Sequence, residues 1–303
     1  MQALARLLKE KDIPICEGIS TAKLCTFRIG GIAPLLARPT TQTKFVEAIR
    51  LCRSAGKRFV ILGRGSNVLF GDGTLDALLI QTTSLTQVAF DSGSVFAECG
   101  TSMMRLCDLA ADRGLAGFSF AAGIPGSIGG GIYMNAGAHG KCVFDVIKSV
   151  TYYDIDLDKI KTEFNHQLNS NYRYSCFQGK NAVILSATLT LCPGADRDAL
   201  KEEIRRLRAL RRATQPLELP NAGSTFRRPE PMLPVGRLLD ELLLKGKRIG
   251  DAAVSQKHAG FIVNLGAARA TDVLALIREI QNTVKKERGI TLEPELCVIL
   301  SRT

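Results

Sequence analysis

Two glycine-rich segments hold the residue types best suited to a phosphorylated ligand. Residues 62–69 read Leu-Gly-Arg-Gly-Ser-Asn-Val-Leu, directly after a β-branched run. Residues 122–131 read Ala-Gly-Ile-Pro-Gly-Ser-Ile-Gly-Gly-Gly. Glycine lets the backbone approach a ligand closely, so that successive N–H groups converge on phosphate oxygens. A helix beginning after such a loop adds its positive end. Neither segment is a common nucleotide signature. Val68 stands where Gly-x-Gly-x-x-Gly needs its third glycine, and no Gly-Lys pair is followed by Ser or Thr. Singly, each segment reads equally well as a tight turn. Two together, the second inside the 27 residues of 114–140 that carry no Asp, Glu, Lys or Arg, favour a ligand-bearing groove.

Three further places carry suitable side chains. Asn171-Tyr172-Arg173-Tyr174-Ser175 sets an arginine between aromatics. Asn221-Ala222-Gly223-Ser224-Thr225-Phe226 sets a serine after a glycine-bearing turn, and Leu292-Glu293-Pro294-Glu295-Leu296 sets a carboxylate before a last strand. Alone, an arginine, serine or glutamate of this kind is most often a surface or turn residue. His258 reads most simply as a hydrogen-bonded, partly buried histidine.

The elements that position these residues mix strands and helices, an α+β pattern. Strands are predicted at 58–62, 146–155 and 182–191, and a hairpin where 88–90 and 95–97 flank Asp91-Ser92-Gly93-Ser94. Helical spacing covers 102–113, with Gly114 as its stop. Leu4, Leu7 and Leu8 suggest a short amphipathic N-terminal helix. Composition shifts at Pro193-Gly194. A helix over 198–212 follows, apolar at Leu200, Ile204, Leu207 and Leu210 and arginine-rich opposite, and then a proline-containing linker at 215–220. Beyond lie a helix near 235–244, a strand at 261–265, a helix over 271–288 capped by Thr271 and ended by Gly289, and a strand at 296–300. The main boundary is placed near residue 194.

Composition excludes several classes. With 46% hydrophobic and 23% charged residues the chain has ample material for cores, so disorder is ruled out as its main state. The uncharged stretch at 114–140 holds nine glycines and reads as loop, not as a membrane span. Nine scattered cysteines without Cys-x-x-Cys, and three histidines, fit reduced thiols and argue against zinc or any other metal site. No secretory leader is read at the N-terminus, and a cytoplasmic location is expected. The net charge of +11 implies an anionic partner. Nucleic acid is the rival from another class. Aromatic content of 6%, no tryptophan and no aromatic-interleaved basic stripe count against it.

Read together, the motifs resemble the UDP-N-acetylenolpyruvoylglucosamine reductase family, flavoenzymes of bacterial cell-wall precursor synthesis. Thr26-Phe27-Arg28-Ile29-Gly30-Gly31 is similar to the family's opening motif, 62–69 to its L-G-x-G-S-N-x-L, and 123–130 to its G-I-P-G-S-x-G-G. Met134-Asn135-Ala136-Gly137-Ala138, Tyr172-Arg173-Tyr174-Ser175, 222–226, 254–264 and 292–295 match in order. Arg227-Arg228-Pro229 departs from the Lys-Asn-Pro of many relatives. The chain resembles the shorter form, without a substrate-covering tyrosine loop.

The resemblance implies a two-lobed, vanillyl-alcohol-oxidase-type FAD-binding unit at 1–193, with lobes of about 1–70 and 71–193. It implies a substrate-binding domain at 194–303, whose last strand, 296–303, returns to the first lobe. Non-covalent FAD would be held by Arg28, Gly63, Arg64, Gly65, Ser66 and Asn67, by Gly123, Pro125, Gly126, Ser127 and Gly130, and by Asn135, Ala136 and Gly137. NADPH would reduce the flavin, and UDP-N-acetylglucosamine enolpyruvate would reoxidise it. Arg173 would face the substrate carboxylate, Glu295 would hydrogen-bond the enolate, and Ser224 would protonate the carbon. Tyr172, Gly223, Arg227, Arg228, Lys257 and His258 are the expected substrate-binding set. The implied enzyme is a monomer, with neither nucleic acid nor membrane as partner. An FAD-dependent sugar or alcohol oxidase of the same fold shares the glycine-rich loops. It is not expected to carry the Tyr172-Arg173, Gly223-Ser224 and Pro294-Glu295 set together.

Overall fold

The predicted periodicities become elements with small shifts at their ends. In the computed structural model, which describes residues 1–229 and 233–301, seven α-helices are assigned. They are α1 (Gln2–Glu10), α2 (Gln42–Ser54), α3 (Met103–Ala111), α4 (Ile128–Tyr133), α5 (Arg197–Thr214), α6 (Val235–Glu241) and α7 (Ala270–Arg288). The chain divides into two units. One comprises residues 1–16, 36–64 and 78–211, and the other 17–35, 65–77 and 212–303. The division therefore falls after Arg211 and not at 193–194, because α5 begins past the composition shift and its Leu200, Ile204 and Leu207 are buried. Segments 17–35 and 65–77 cluster with the C-terminal residues, a long-range grouping with no local sequence signal.

In the first unit a five-stranded antiparallel sheet runs in the order Lys159–Phe164, Ile147–Asp154, Ala182–Thr190, Ser94–Glu98, Val88–Asp91. Central strand Ala182–Thr190 is buried at nearly every position, so it carries no polar alternation. The 88–91 and 94–98 hairpin is as read, with Phe90 opposite Val95. Phe59–Leu62 pairs in parallel with Leu78–Gln81. In α2, Phe45, Val46, Ala48, Ile49 and Cys52 form the apolar face, and the Thr41 side chain caps the helix by accepting from Lys44 N–H at 3.2 Å. Ser102 caps α3 in the same way at 3.4 Å, and Gly114 turns the chain beyond it at φ +67°.

In the second unit a small antiparallel meander, Arg248–Ile249, Ala252–Val254 and Ile262–Asn264, packs under α7. Val273, Leu276, Ile277, Ile280 and Val284 form the buried stripe of α7, and Gly289 ends the helix at φ +72°. Its start differs from the expectation. Asp272 accepts from Arg269 N–H, while Asp72 accepts from both Ala270 and Thr271 N–H, so the cap comes from a distant aspartate and not from Thr271. The last strand, Cys297–Ile299, pairs in parallel with Val68–Phe70. In α1, Leu4 and Leu8 are buried but Leu7 is exposed, which narrows the predicted apolar face. All nine cysteines are thiols. Among the described residues no cluster of side chains suits a metal, and no helix is long and apolar enough to cross a membrane.

Candidate active site

The second glycine-rich segment starts a helix that the sequence reading left as loop. Ser127 caps α4, its Oγ accepting from Gly130 N–H at 3.3 Å, while the Ile128 and Gly129 amides donate to Thr101 O and Cys99 O. Two of the three glycines of α4 serve packing. A Cβ on Gly129 would lie 2.9 Å from Cys99 Cβ, and one on Gly131 2.7 Å from Met103 Sδ. Gly63 is pressed against the same cap: a Cβ there would lie 2.4 Å from Ser127 Oγ. Two polar groups lie beside this loop. Thr101 Oγ1 is buried without a hydrogen-bond partner among the described residues, although its carbonyl holds Ile128. Arg211 lies with its Cδ where a Cβ on Gly123 would come within 2.6 Å, and burial alone depresses its pKa. An orphaned hydroxyl and a desolvated cation beside a glycine-rich turn fit an anionic cofactor. Thr101 escaped the sequence reading because a lone threonine carries no signal before its burial is known.

Arg173 sits in a two-residue turn between Ser170–Asn171 and Tyr174–Ser175, at φ +53°. A non-glycine residue there costs about 1–2 kcal/mol. The turn is tied to the segment after α4. Arg173 Nη2 donates to Gly137 O at 3.1 Å, Asn135 Nδ2 to Asn171 O at 2.9 Å and Ser175 Oγ to Tyr133 O at 2.8 Å. Asn135 Oδ1 also accepts from Phe144 N–H at 3.3 Å. The side chain of Asn135 thus serves the backbone, which limits what it can offer a ligand. Ala136 accepts from Val143 N–H, and Tyr172 places its ring 5.0 Å from the Arg173 guanidinium.

In the second unit the residues around Ser224 and Glu295 are laid side by side. Thr225 donates its N–H to Gly260 O and accepts from Glu295 N–H at 2.8 Å, Arg227 N–H donates to Glu293 O, and Phe226 bridges Pro294. Ser224 and Glu295 therefore sit in neighbouring extended segments, Ser224 exposed and Glu295 half-buried. Gly223 takes φ +82° with its N–H on Asn221 Oδ1, a turn that aims Ser224 outward. Asn67 holds the other side: its Nδ2 donates to Glu295 O at 3.1 Å, and its carbonyl accepts from Cys297 N–H. Sequence reading gave Asn67 to the cofactor, and the structure gives its side chain this structural bond. Gly65, at φ +65°, abuts Leu24 O. Arg28, at φ +54°, is braced by Asn264 Nδ2 on its carbonyl.

The expected substrate residues differ in their freedom. Lys257 Nζ donates to Arg212 O at 2.7 Å and lies 3.5 Å from Glu218, so its charge is already engaged. His258 Nδ1 accepts from Gly260 N–H at 3.1 Å, its ring meets Phe261 edge-on, and Gly236 leaves no room for a Cβ beside it. Burial lowers its pKa. Arg227 buries Nε without a partner among the described residues, while Arg228 is exposed. Arg64, Pro125 and Gly130 are exposed, and Ser66, Gly126 and Gly137 half-buried.

Comparison with known proteins adds to this geometry. Residues 33–157 match the FAD binding domain family, and residues 215–299 match the C-terminal domain of UDP-N-acetylenolpyruvoylglucosamine reductase. The chain is 38% identical over 98% of its length to the UDP-N-acetylenolpyruvoylglucosamine reductase of Clostridium perfringens, covering 96% of that protein. It is 39% identical over 96% of its length to that of Lactobacillus acidophilus, covering 97%. The crystal structure of the Thermus caldophilus enzyme superposes with a TM-score of 0.79 at 29% identity, over 94% of this chain and 99% of that one. Fold and site together define an FAD-binding oxidoreductase with a vanillyl-alcohol-oxidase-type cofactor domain. The chain belongs to the UDP-N-acetylenolpyruvoylglucosamine reductase family.

Proposed function

We propose that the chain reduces UDP-N-acetylglucosamine enolpyruvate to UDP-N-acetylmuramate, with FAD bound non-covalently and NADPH as reductant, as a step in making peptidoglycan precursors. The observation that carries the mechanism is the Glu295–Thr225 hydrogen bond, which sets a carboxyl group and the Ser224 hydroxyl on adjacent segments. Bound FAD supplies the hydride chemistry. FAD would be held by Gly63, Arg64, Gly123, Pro125, Gly126, Ser127, Gly130, Asn135, Ala136 and Gly137. Arg28, Gly65, Ser66 and Asn67 would add to them. The UDP-sugar would be bound by Tyr172, Gly223, Arg227, Arg228, Lys257 and His258.

Hydride reaches the terminal vinyl carbon of the substrate, and negative charge spreads from its neighbour into the carboxylate. Arg173 faces that carboxylate as a fixed guanidinium fork. The Glu295 carboxyl group hydrogen-bonds the enolate oxygen. Ser224 Oγ gives its proton to the adjacent carbon, completing the addition of hydride and proton across the double bond. The protein acts as a monomer in the cytoplasm, supporting wall synthesis in cell division and cell shape, with neither nucleic acid nor membrane as partner. The test is Ser224→Ala, followed by half-reaction. The flavin stays bound and is reduced by NADPH at the parental rate, while its reoxidation by the enolpyruvyl ether falls by about two to three orders of magnitude. Reoxidation at the parental rate overturns the assignment.

A further inference from the structure

We infer that Gln178 is a positioning residue for Arg173, holding its strained turn against the C-terminus of α4. The inference rests on the proposed role of Arg173 and names what keeps that cation in place. The amide nitrogen of Gln178 has two hydrogens and two close oxygens to receive them: Tyr133 O at 2.8 Å and Arg173 O at 3.0 Å. Tyr133 is the last residue of α4, where carbonyls have no intrahelical donor. Ser175 Oγ reaches the same carbonyl. One end of α4 is thus fastened to the arginine turn, and the other carries the Ser127 cap beside Gly63.

Gln178 differs from the other ties in this region. Ser175 joins the last residue of α4, and Asn135 the segment after it, to the residues flanking the turn, and the Arg173 guanidinium is tied to Gly137 O. Gln178 alone among these side chains grips the carbonyl of Arg173, fixing the peptide plane that follows a residue at φ +53°. A left-handed arginine persists only while its surroundings over-determine it. Released, the residue relaxes toward negative φ and carries its guanidinium away from the place it must occupy. A displacement of about 1 Å at a catalytic contact is worth about 100-fold in rate.

The test uses the holoenzyme in anaerobic stopped flow with Gln178→Met, which keeps length and loses the donors. Reduction by NADPH stays within about two-fold of parental, while reoxidation by UDP-N-acetylglucosamine enolpyruvate slows by about 10- to 100-fold. In an Arg173→Ala background the same substitution changes reoxidation by less than about two-fold, because there is no guanidinium left to place. Three results overturn the inference: parental reoxidation in the single variant, equal slowing of both half-reactions, or a full multiplicative loss in the Arg173→Ala background. If Gln178→Met fails to retain flavin, Gln178→Glu, which has the same shape, is judged by the same criteria. Parental reoxidation by Arg173→Ala alone overturns the role of Arg173 itself and is read without touching Gln178.

Discussion

Gly63→Ala tests whether the glycine of the first loop is there for space. Its φ is not left-handed, so the new methyl group is the only difficulty. That methyl would lie 2.4 Å from Ser127 Oγ, and Ser127 is 2% exposed, with nowhere to retreat. To reach ordinary contact the hydroxyl must move about 1 Å, which breaks its 3.3 Å bond from Gly130 N–H. Loss of the cap costs about 1 kcal/mol and overpacking about 1–3 more, about 2–4 kcal/mol together. At about 3 °C per kcal/mol for a unit of this size, Tm falls by about 6–12 °C. Ser127→Ala alone loses the cap, about 1 kcal/mol. It also leaves the incoming methyl facing the residue 127 Cβ at 3.5 Å, an ordinary contact. The double variant is therefore more stable than Gly63→Ala, within about 3 °C of Ser127→Ala. Thermal unfolding of FAD-free and FAD-loaded protein reads this, with FAD affinity measured by flavin fluorescence. Gly179→Ala, which meets nothing within 4 Å, is the neutral control. An unchanged Tm in Gly63→Ala, or a double variant that falls by the sum of the singles, refutes the packing argument.

Glu295→Gln keeps the backbone bonds to Thr225 and Asn67 and removes the acid, so flavin reduction stays parental while reoxidation falls by about two to three orders of magnitude in stopped flow. Burial pushes the Cys99 and Cys107 thiols up to about 12 and Cys52 to about 11, so a maleimide at pH 8 labels exposed Cys192 and spares these three until the protein unfolds, as read by peptide mass mapping. Thiols in the unfolded chain ionise near pH 8.5 (about), so the unfolded state sheds protons first; the stability these thiols contribute is complete below that pH and is lost as pH rises towards 12. Denaturant unfolding across pH 8 to 11 shows a falling free energy, and a flat profile contradicts it. Thirteen basic and seven acidic residues lie in 197–248, six of the eleven net charges. If they steer two anionic ligands, raising the salt lowers kcat/KM for both NADPH and the UDP-sugar, and a salt-independent rate removes that role.

The segments that carry the candidate site residues were legible because their turns are locally encoded. Gly223, Ser224, Arg173 and Glu295 lie in short segments whose turn residues announce themselves, and strands such as Ala182–Thr190 and helices such as α7 follow from apolar runs and periodicity. What stayed hidden depends on distant partners. Asp72 caps α7 from 198 positions away, and Asn67 grips Glu295 across 228. The helix α4 looked like loop because Gly129, Gly130 and Gly131 are poor helix formers. Packing against Cys99 and Met103 overrides their propensity. Gln178 was invisible for the same reason as Thr101: an ordinary polar residue gains meaning only when its partners are seen.

The central claim is tested most directly by following NADPH absorbance with the purified, flavin-bearing protein and UDP-N-acetylglucosamine enolpyruvate. The account predicts oxidation that depends on the enolpyruvyl substrate, consumes one NADPH per UDP-N-acetylmuramate formed, and is lost in Ser224→Ala. A folded, flavin-loaded protein whose NADPH oxidation is indifferent to that substrate would contradict it.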